Sequence, residues 1–266
     1  MAIDHLSHQV YGSETASTTL VLLHGFPLDR RIFDDVAPLL ASNQLKVITL
    51  DLPGFGQSPF PGDFSMDDLA RHVSDFLARS NLLPCVLGGL SMGGYVALQY
   101  HRLFPSDLKA LILLDTKSAA DTPEAKENRV RMADVARREG AKPVARMMYP
   151  KMFGESTKQS PRGPELERRL MDIMESCPPA TIAAACLAMR DRPDYTPDLA
   201  ASNVPLLMIT GAEDAIAPPE VGQAVANAAR QGTFVQIPHA GHIATLEQPA
   251  EVAKAITSWL AATVPQ

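Results

Sequence analysis

Short apolar runs recur along the chain at 19–23, 47–50, 86–90, 108–114, 206–209 and 234–237. Nearly all are continuous rather than alternating, which is the pattern of strands buried on both faces of a parallel sheet. Helical periodicity fills most of the intervals. Ser65 opens one helix, with Asp68 three residues on as a short-armed capping box and Leu69, Val73, Phe76 and Leu77 on one stripe. A second runs over 93–104 and stops before Pro105, and a last one is expected around 250–260. Strands alternating with helices specify an α/β sheet with right-handed crossovers.

The alternation breaks between Leu114 and Leu206, where residues 116–200 read as helices only: 123–139, 143–152, 165–176 and 180–191. We therefore expect a core domain made of 1–115 and 201–266, carrying a helical cap over 116–200. Composition changes with the pattern, since this segment carries 15 basic and 13 acidic residues in 85 positions. It also holds seven of the eleven methionines, at 132, 147, 148, 152, 171, 174 and 189. Unbranched thioethers adapt to varied apolar ligands, so Met147, Met148 and Met152 are candidates to line a substrate pocket, against the alternative that they only pack the cap onto the sheet.

The overall composition, 20% charged and 46% hydrophobic over 266 residues, is that of an ordinary globular protein. No apolar run approaches the ~18 residues of a bilayer span, so no membrane partner is expected. The opening stretch from Met1 to Gly12 includes Asp4 and scattered polar residues rather than the basic and apolar regions of a signal peptide, so the expected location is cytoplasmic. Cys85, Cys177 and Cys186 are odd in number and lack ligand spacing, which argues against a disulfide framework or a metal site. A net charge of −6 without a basic stripe disfavours nucleic acid as a partner.

Candidate chemistry begins at Gly89-Leu90-Ser91-Met92-Gly93, a G-x-S-x-G between an apolar strand and a helical pattern. A serine in so tight a turn needs small neighbours on either side, and the helix that follows aims N–H groups at the reaction site. Its hydroxyl becomes a nucleophile only when a base takes the proton and an acid orients that base. His242, on the small-residue loop after the last strand, is the expected base, with His239 as competitor. Asp214, in the loop after 206–209, is the expected acid. Asp115, at the end of 108–114, is its rival and otherwise a residue anchoring the first turn of the cap; Glu213 reads as a solvated neighbour. The oxyanion formed on attack needs two N–H donors, which Met92 and Phe26 would supply, while His24 is expected to hold the Phe26 loop rather than to transfer protons.

With these residues assembled, the chain resembles the α/β-hydrolase fold superfamily over nearly its whole length. The matching segments are Leu22-Leu23-His24-Gly25-Phe26-Pro27, Asp51-Leu52-Pro53-Gly54-Phe55-Gly56-Gln57-Ser58, Gly88-Gly89-Leu90-Ser91-Met92-Gly93-Gly94, Gly211-Ala212-Glu213-Asp214 and Gly241-His242. The pattern is most similar to small cofactor-free esterases and the branch containing 3-oxoadipate enol-lactonases. The resemblance implies a mainly parallel eight-stranded sheet, a helical cap after the sixth strand and an active site between them. Serine at the elbow departs from relatives with aspartate there, the haloalkane dehalogenases and epoxide hydrolases.

The expected function is hydrolysis of small to medium carboxylic esters or lactones through an acyl-Ser91 intermediate, without metal or organic cofactor. Two alternatives use the same triad: a slow-turnover signalling receptor or regulator read by a partner through its cap, and a cofactor-free perhydrolase. The charged cap without an aromatic cluster favours the first reading over a partner surface.

Overall fold

The computed structural model describes residues 5–264; residues 1–4, with Asp4 of the amino-terminal reading, and residues 265 and 266 lie outside the described residues. Seven strands form one sheet: β1 (His8–Tyr11), β2 (Thr18–Leu23), β3 (Leu45–Leu50), β4 (Cys85–Leu90), β5 (Leu108–Leu114), β6 (Leu206–Gly211) and β7 (Gly232–Ile237). Their spatial order is β1-β3-β2-β4-β5-β6-β7, with β1 antiparallel to β3 and every other pairing parallel. The chain thus has the α/β-hydrolase architecture with seven described strands rather than eight. Only six residues separate β1 from β2, and a turn through Gly12 at φ +91° occupies them, leaving no length for a further strand. Among the described strands the helical insertion follows the fifth, where the sixth was expected.

The continuous apolar runs have the expected cause. Val21 and Leu23 of β2 pack into one core cluster, while Leu20 and Leu22 pack into a second on the opposite face. In β5 the same division sends Leu111 and Leu113 one way and Ala110, Ile112 and Leu114 the other. The strand that the pattern missed, β1, is a short, half-exposed edge whose His8-Gln9-Val10-Tyr11 sequence carries almost no apolar run.

Helices of eight or more residues cover both faces: α1 (Met66–Arg79), α2 (Met92–Leu103), α3 (Pro123–Glu139), α4 (Ala141–Met148), α5 (Gly163–Ser176), α6 (Pro179–Asp191), α7 (Pro219–Ala228) and α8 (Pro249–Thr263). The capping box of α1 is present, with Ser65 Oγ accepting the Asp68 N–H at 3.1 Å and Asp68 Oδ2 accepting the Ser65 N–H at 2.8 Å. Among the described residues no helix is long and apolar enough to cross a membrane.

Helices α3 to α6 form the insertion between β5 and β6, and its two ends are clasped together. The Tyr195 N–H donates to the Ser118 carbonyl at 3.0 Å, and the Ser118 and Thr196 hydroxyls meet at 2.8 Å. Beside them the solvent-free carboxylate of Asp121 receives Arg192 Nη2 at 2.9 Å, Arg129 Nε at 3.1 Å and Lys117 Nζ at 3.5 Å. Burial alone would raise the Asp121 pKa. The Arg192 hydrogen bond and the charges of Arg129 and Arg192 outweigh it and hold the value at about 2.

A depressed folded-state pKa contributes stability above the carboxylate's ordinary value of 3.8, and that contribution disappears as the pH falls toward about 2. Thermal unfolding followed across pH is therefore expected to show Asp121→Asn destabilised by on the order of 2–3 kcal/mol at pH 7, the gap closing by pH 2. An undiminished gap at pH 2 would remove the carboxylate's charge as the cause.

Candidate active site

The site assembles at the carboxyl ends of β2, β4, β5 and β6. Ser91 links β4 to α2 at φ 52° and ψ −112°, a backbone region that a non-glycine residue enters only when its surroundings enforce it. Its N–H donates to the Leu114 carbonyl at 2.9 Å, and its own carbonyl accepts the Thr116 hydroxyl at 2.8 Å, pinning the turn to the end of β5. The glycines of the motif are required by approach distance. A Cβ on Gly89 would lie 2.2 Å from the Gly93 carbonyl oxygen, and one on Gly93 would lie 2.2 Å from that of Leu23.

Ser91 Oγ and His242 Nε2 are 2.9 Å apart, and His242 Nδ1 is 2.9 Å from Asp214 Oδ2. With Nδ1–H donating to the carboxylate, Nε2 is free to accept the serine proton. The other Asp214 oxygen accepts N–H groups of Ile216 at 2.7 Å and Ala217 at 3.0 Å. Burial opposes ionisation of Asp214, but the imidazole and these two donors prevail and keep its pKa below the usual carboxylate range. Asp214 is therefore an anion held on His242.

Asp115 has the opposite character. It is fully buried, it sits at φ 47° after β5, and burial reinforced by repulsion from Asp214 and Glu247 raises its pKa well above the usual range. Its Oδ1 accepts the Gly211 N–H at 2.8 Å, so it ties the ends of β5 and β6 rather than the first turn of the insertion, correcting the sequence expectation. Glu213 is likewise not merely solvated: it accepts the Ser156 N–H at 2.9 Å and joins the insertion to the Asp214 loop. His239 is exposed and faces Ser156, away from Ser91.

The candidate oxyanion donors converge on the same place. Met92 is the first residue of α2, where the backbone N–H has no partner within the helix. Phe26 lines the cavity with Ser91. Its loop is held by His24, which donates from Nδ1 to the Gly25 carbonyl at 2.8 Å and accepts the Leu52 N–H on Nε2 at 3.0 Å. Both ring nitrogens are thereby committed, and burial lowers the His24 pKa.

A cavity of about 70 Å³ joins these groups to the insertion. Of the three candidate methionines only Met148 lines it, together with Met189. Met147, one position earlier on α4, is turned outward and 55% exposed. Met152 is in the core, because α4 ends at Met148 and a tighter 3-10 turn over Tyr149–Lys151 carries Met152 off the cavity face. Met152 contributes through its backbone instead, its carbonyl accepting the His242 N–H at 3.0 Å.

Glu247 escaped the sequence reading. Its buried carboxylate accepts Gly241 N–H at 2.9 Å and Ile243 N–H at 3.1 Å, on either side of His242, and Gly154 N–H at 2.9 Å and Thr157 Oγ1–H at 2.6 Å from the insertion. Its only sequence signal is an acid five residues beyond the candidate base. Tyr95, Lys117, Arg129 and Ile216 were also missed as cavity residues. Among the described residues no three histidine, cysteine, aspartate or glutamate side chains are grouped to hold a metal ion.

Comparison with known proteins agrees with this architecture. The chain is 39% identical to a thermophilic esterase from Thermogutta terrifontis, solved with malate bound, at a TM-score of 0.93 and coverage of 99% and 98% of the two chains. An enol-lactonase from Burkholderia xenovorans LB400 shares the fold at 22% identity and a TM-score of 0.88, covering 98% and 99%. Among curated relatives, a pimeloyl-[acyl-carrier protein] methyl ester esterase of Neisseria meningitidis is 27% identical over 227 residues, 83% of this chain and 85% of the relative. The AB hydrolase superfamily protein YisY of Bacillus subtilis is 28% identical over 88% of both chains. The profile of the alpha/beta hydrolase fold family matches residues 18–249, and this chain belongs to that family.

Proposed function

We propose that this chain is a carboxylic ester hydrolase that cleaves small to medium esters or lactones through an acyl-Ser91 intermediate. The observation that carries this reading is the continuous hydrogen-bonded line from Ser91 Oγ through His242 to Asp214, each link 2.9 Å. The names of the esterase and lactonase relatives support the reaction class. The helical insertion acts as a cap over the cavity, and the three free, buried cysteines are compatible with a cytoplasmic protein.

In this mechanism Ser91 Oγ attacks the carbonyl carbon while its proton passes to His242 Nε2, and Asp214 stabilises the imidazolium that results. The oxyanion faces the N–H groups of Phe26 and Met92. Collapse breaks the bond to the alkoxy oxygen, which takes the proton from His242; in a lactone the alcohol stays tethered to the acyl group. Water then attacks the acyl-serine carbonyl, giving one proton to His242. That proton returns to Ser91 Oγ as the carboxylic acid leaves.

Ser91→Ala is expected to lower ester turnover by on the order of 10³-fold or more, because triad members act as a unit. A fluorophosphonate should label the wild type once, on Ser91, as read by mass spectrometry. Labelling at another residue, or undiminished turnover of the variant, would refute the mechanism. A single burst without turnover would point to the receptor alternative, and peroxide-dependent halogenation to the perhydrolase.

The two carboxyls provide a second test. Asp214→Asn replaces an anion with an amide that cannot stabilise imidazolium and is expected to reduce kcat by on the order of 10³ to 10⁴. An amide oxygen can still accept the Gly211 N–H that Asp115 binds, so Asp115→Asn should remain within about tenfold of the wild type. The larger deficit in a folded Asp115→Asn protein would reverse the assignment.

A further inference from the structure

Two cations of the insertion, Lys117 and Arg129, line the cavity that contains Ser91 and His242. Their side chains remain 32% and 22% exposed, whereas the carboxylate they share, Asp121, is solvent-free. That carboxylate is already committed to Arg192, which is itself solvent-free and lies 2.9 Å away. Arg192 also donates to the carbonyls of Met189 at 2.8 Å and Ala119 at 3.0 Å, and its guanidinium carbon lies 4.0 Å from the Tyr95 ring centroid. One carboxylate thus serves three cations, and the excess positive charge is on the two that reach the cavity.

The carboxyls nearest the cavity do not redress this balance. Asp115 is fully buried, accepts the Gly211 N–H and has its pKa raised by burial, and Asp214 is engaged by His242. Arg129 bonds Asp121 through Nε, and among the described residues its two Nη groups meet no acceptor, leaving a planar pair of donors. Lys117 adds a point charge beside them. A guanidinium fork with an adjacent ammonium suits a carboxylate, and the narrow cavity strengthens the attraction by limiting solvent. At about 70 Å³ the space is small beside the ~300–1,000 Å³ of sites for drug-sized ligands, which restricts the occupant to a short chain.

We propose that Lys117 and Arg129 form a carboxylate-binding subsite and that the preferred substrates are small esters carrying a free carboxylate, such as half-esters of short dicarboxylic acids. The substrate class rests on the hydrolytic reading above; the anion subsite does not. Held at one end by these cations, the molecule presents its ester carbonyl to Ser91, so the charge contributes mainly to binding and orientation.

The kinetic test compares methyl hydrogen succinate with methyl succinamate, which has the same length and lacks the charge. Acetylglycolate and acetylglycolamide form a second pair with the carboxylate on the alcohol side. In at least one pair, kcat/KM of the wild type should favour the anion by about tenfold or more, chiefly through KM. The ratio should fall toward one in Lys117→Gln and Arg129→Gln, recover in part in Arg129→Lys, and shrink with added salt. Equal rates within both pairs would overturn the subsite, as would a ratio unchanged in folded Lys117→Gln and Arg129→Gln.

Calorimetric titration of Ser91→Ala with succinate and with succinamide provides a readout independent of turnover. Only succinate should bind, and its heat should vanish when Lys117→Gln and Arg129→Gln are added; absence of succinate binding counts against the subsite. If Arg129→Gln fails to fold because Asp121 loses a partner, the more exposed Lys117→Gln carries the comparison alone. Succinate binding that depends on these cations, in a protein whose ester turnover does not need Ser91, would sustain the subsite while defeating the serine mechanism.

Discussion

The close approach of backbone to backbone around Ser91 is the constraint on which the site depends. Gly93 lets α2 press against the carbonyls of Leu23 and His24, and Gly89 lets β4 pass under the first turn of the same helix. Gly25 removes a side chain that would meet Leu90 and Ser91. This compression lifts Ser91 out of the sheet at positive φ and brings the Phe26 loop beside the start of α2. Placement of the candidate nucleophile and convergence of the two candidate oxyanion donors are therefore consequences of one packing arrangement, and enlarging any of these three glycines disturbs both.

Three carboxyls near His242 take three roles because their surroundings differ. Asp214 has a histidine and two backbone donors and remains ionised. Asp115 has Gly211 but is buried beside two acidic neighbours, which pushes its pKa well up. Glu247 is also pushed upward by burial, against the hydrogen bonds it accepts from both the histidine loop and the insertion. Residue type alone cannot separate an orienting anion from a neutral tie or a structural clamp; the count and charge of neighbours can.

Much of this organisation was legible in the sequence, and what was missed has identifiable causes. Strands buried on both faces announce themselves as unbroken apolar runs, so β2 to β6 could be located; β7, largely exposed, left only the shorter Phe234–Ile237 signal. The edge strand β1 packs too little apolar surface to leave that signal. Ser91, Asp214 and His242 could be named because their loops follow strands at readable boundaries. The methionines were harder. Spacing suggested one helix over 143–152, but Tyr149–Lys151 tightens into a 3-10 turn, rotating Met152 away from Met148. Lys117 and Arg129 carry no motif of their own within a highly charged segment, since their common orientation arises only when Asp121 and Arg192 close the base of the insertion.

The insertion is consequently more than a lid resting on a finished catalytic core. The His242 N–H ends on the Met152 carbonyl, and Glu247 spans Gly241 and Ile243 on one side and Gly154 and Thr157 on the other. The backbone that carries the candidate base is thus bonded to the helical segment that walls the cavity, and Glu213 repeats the connection from the Asp214 loop through Ser156. Two of the three loops that carry the candidate triad take part of their positioning from residues outside the sheet. A change in the insertion that shifts Met152 to Thr157 therefore bears on the candidate triad as well as on the shape of the cavity, whereas α3, which carries Arg129, can vary its cavity-facing side chains without touching those supports. This division gives the fold a physical route to altered specificity with the hydrolytic geometry preserved.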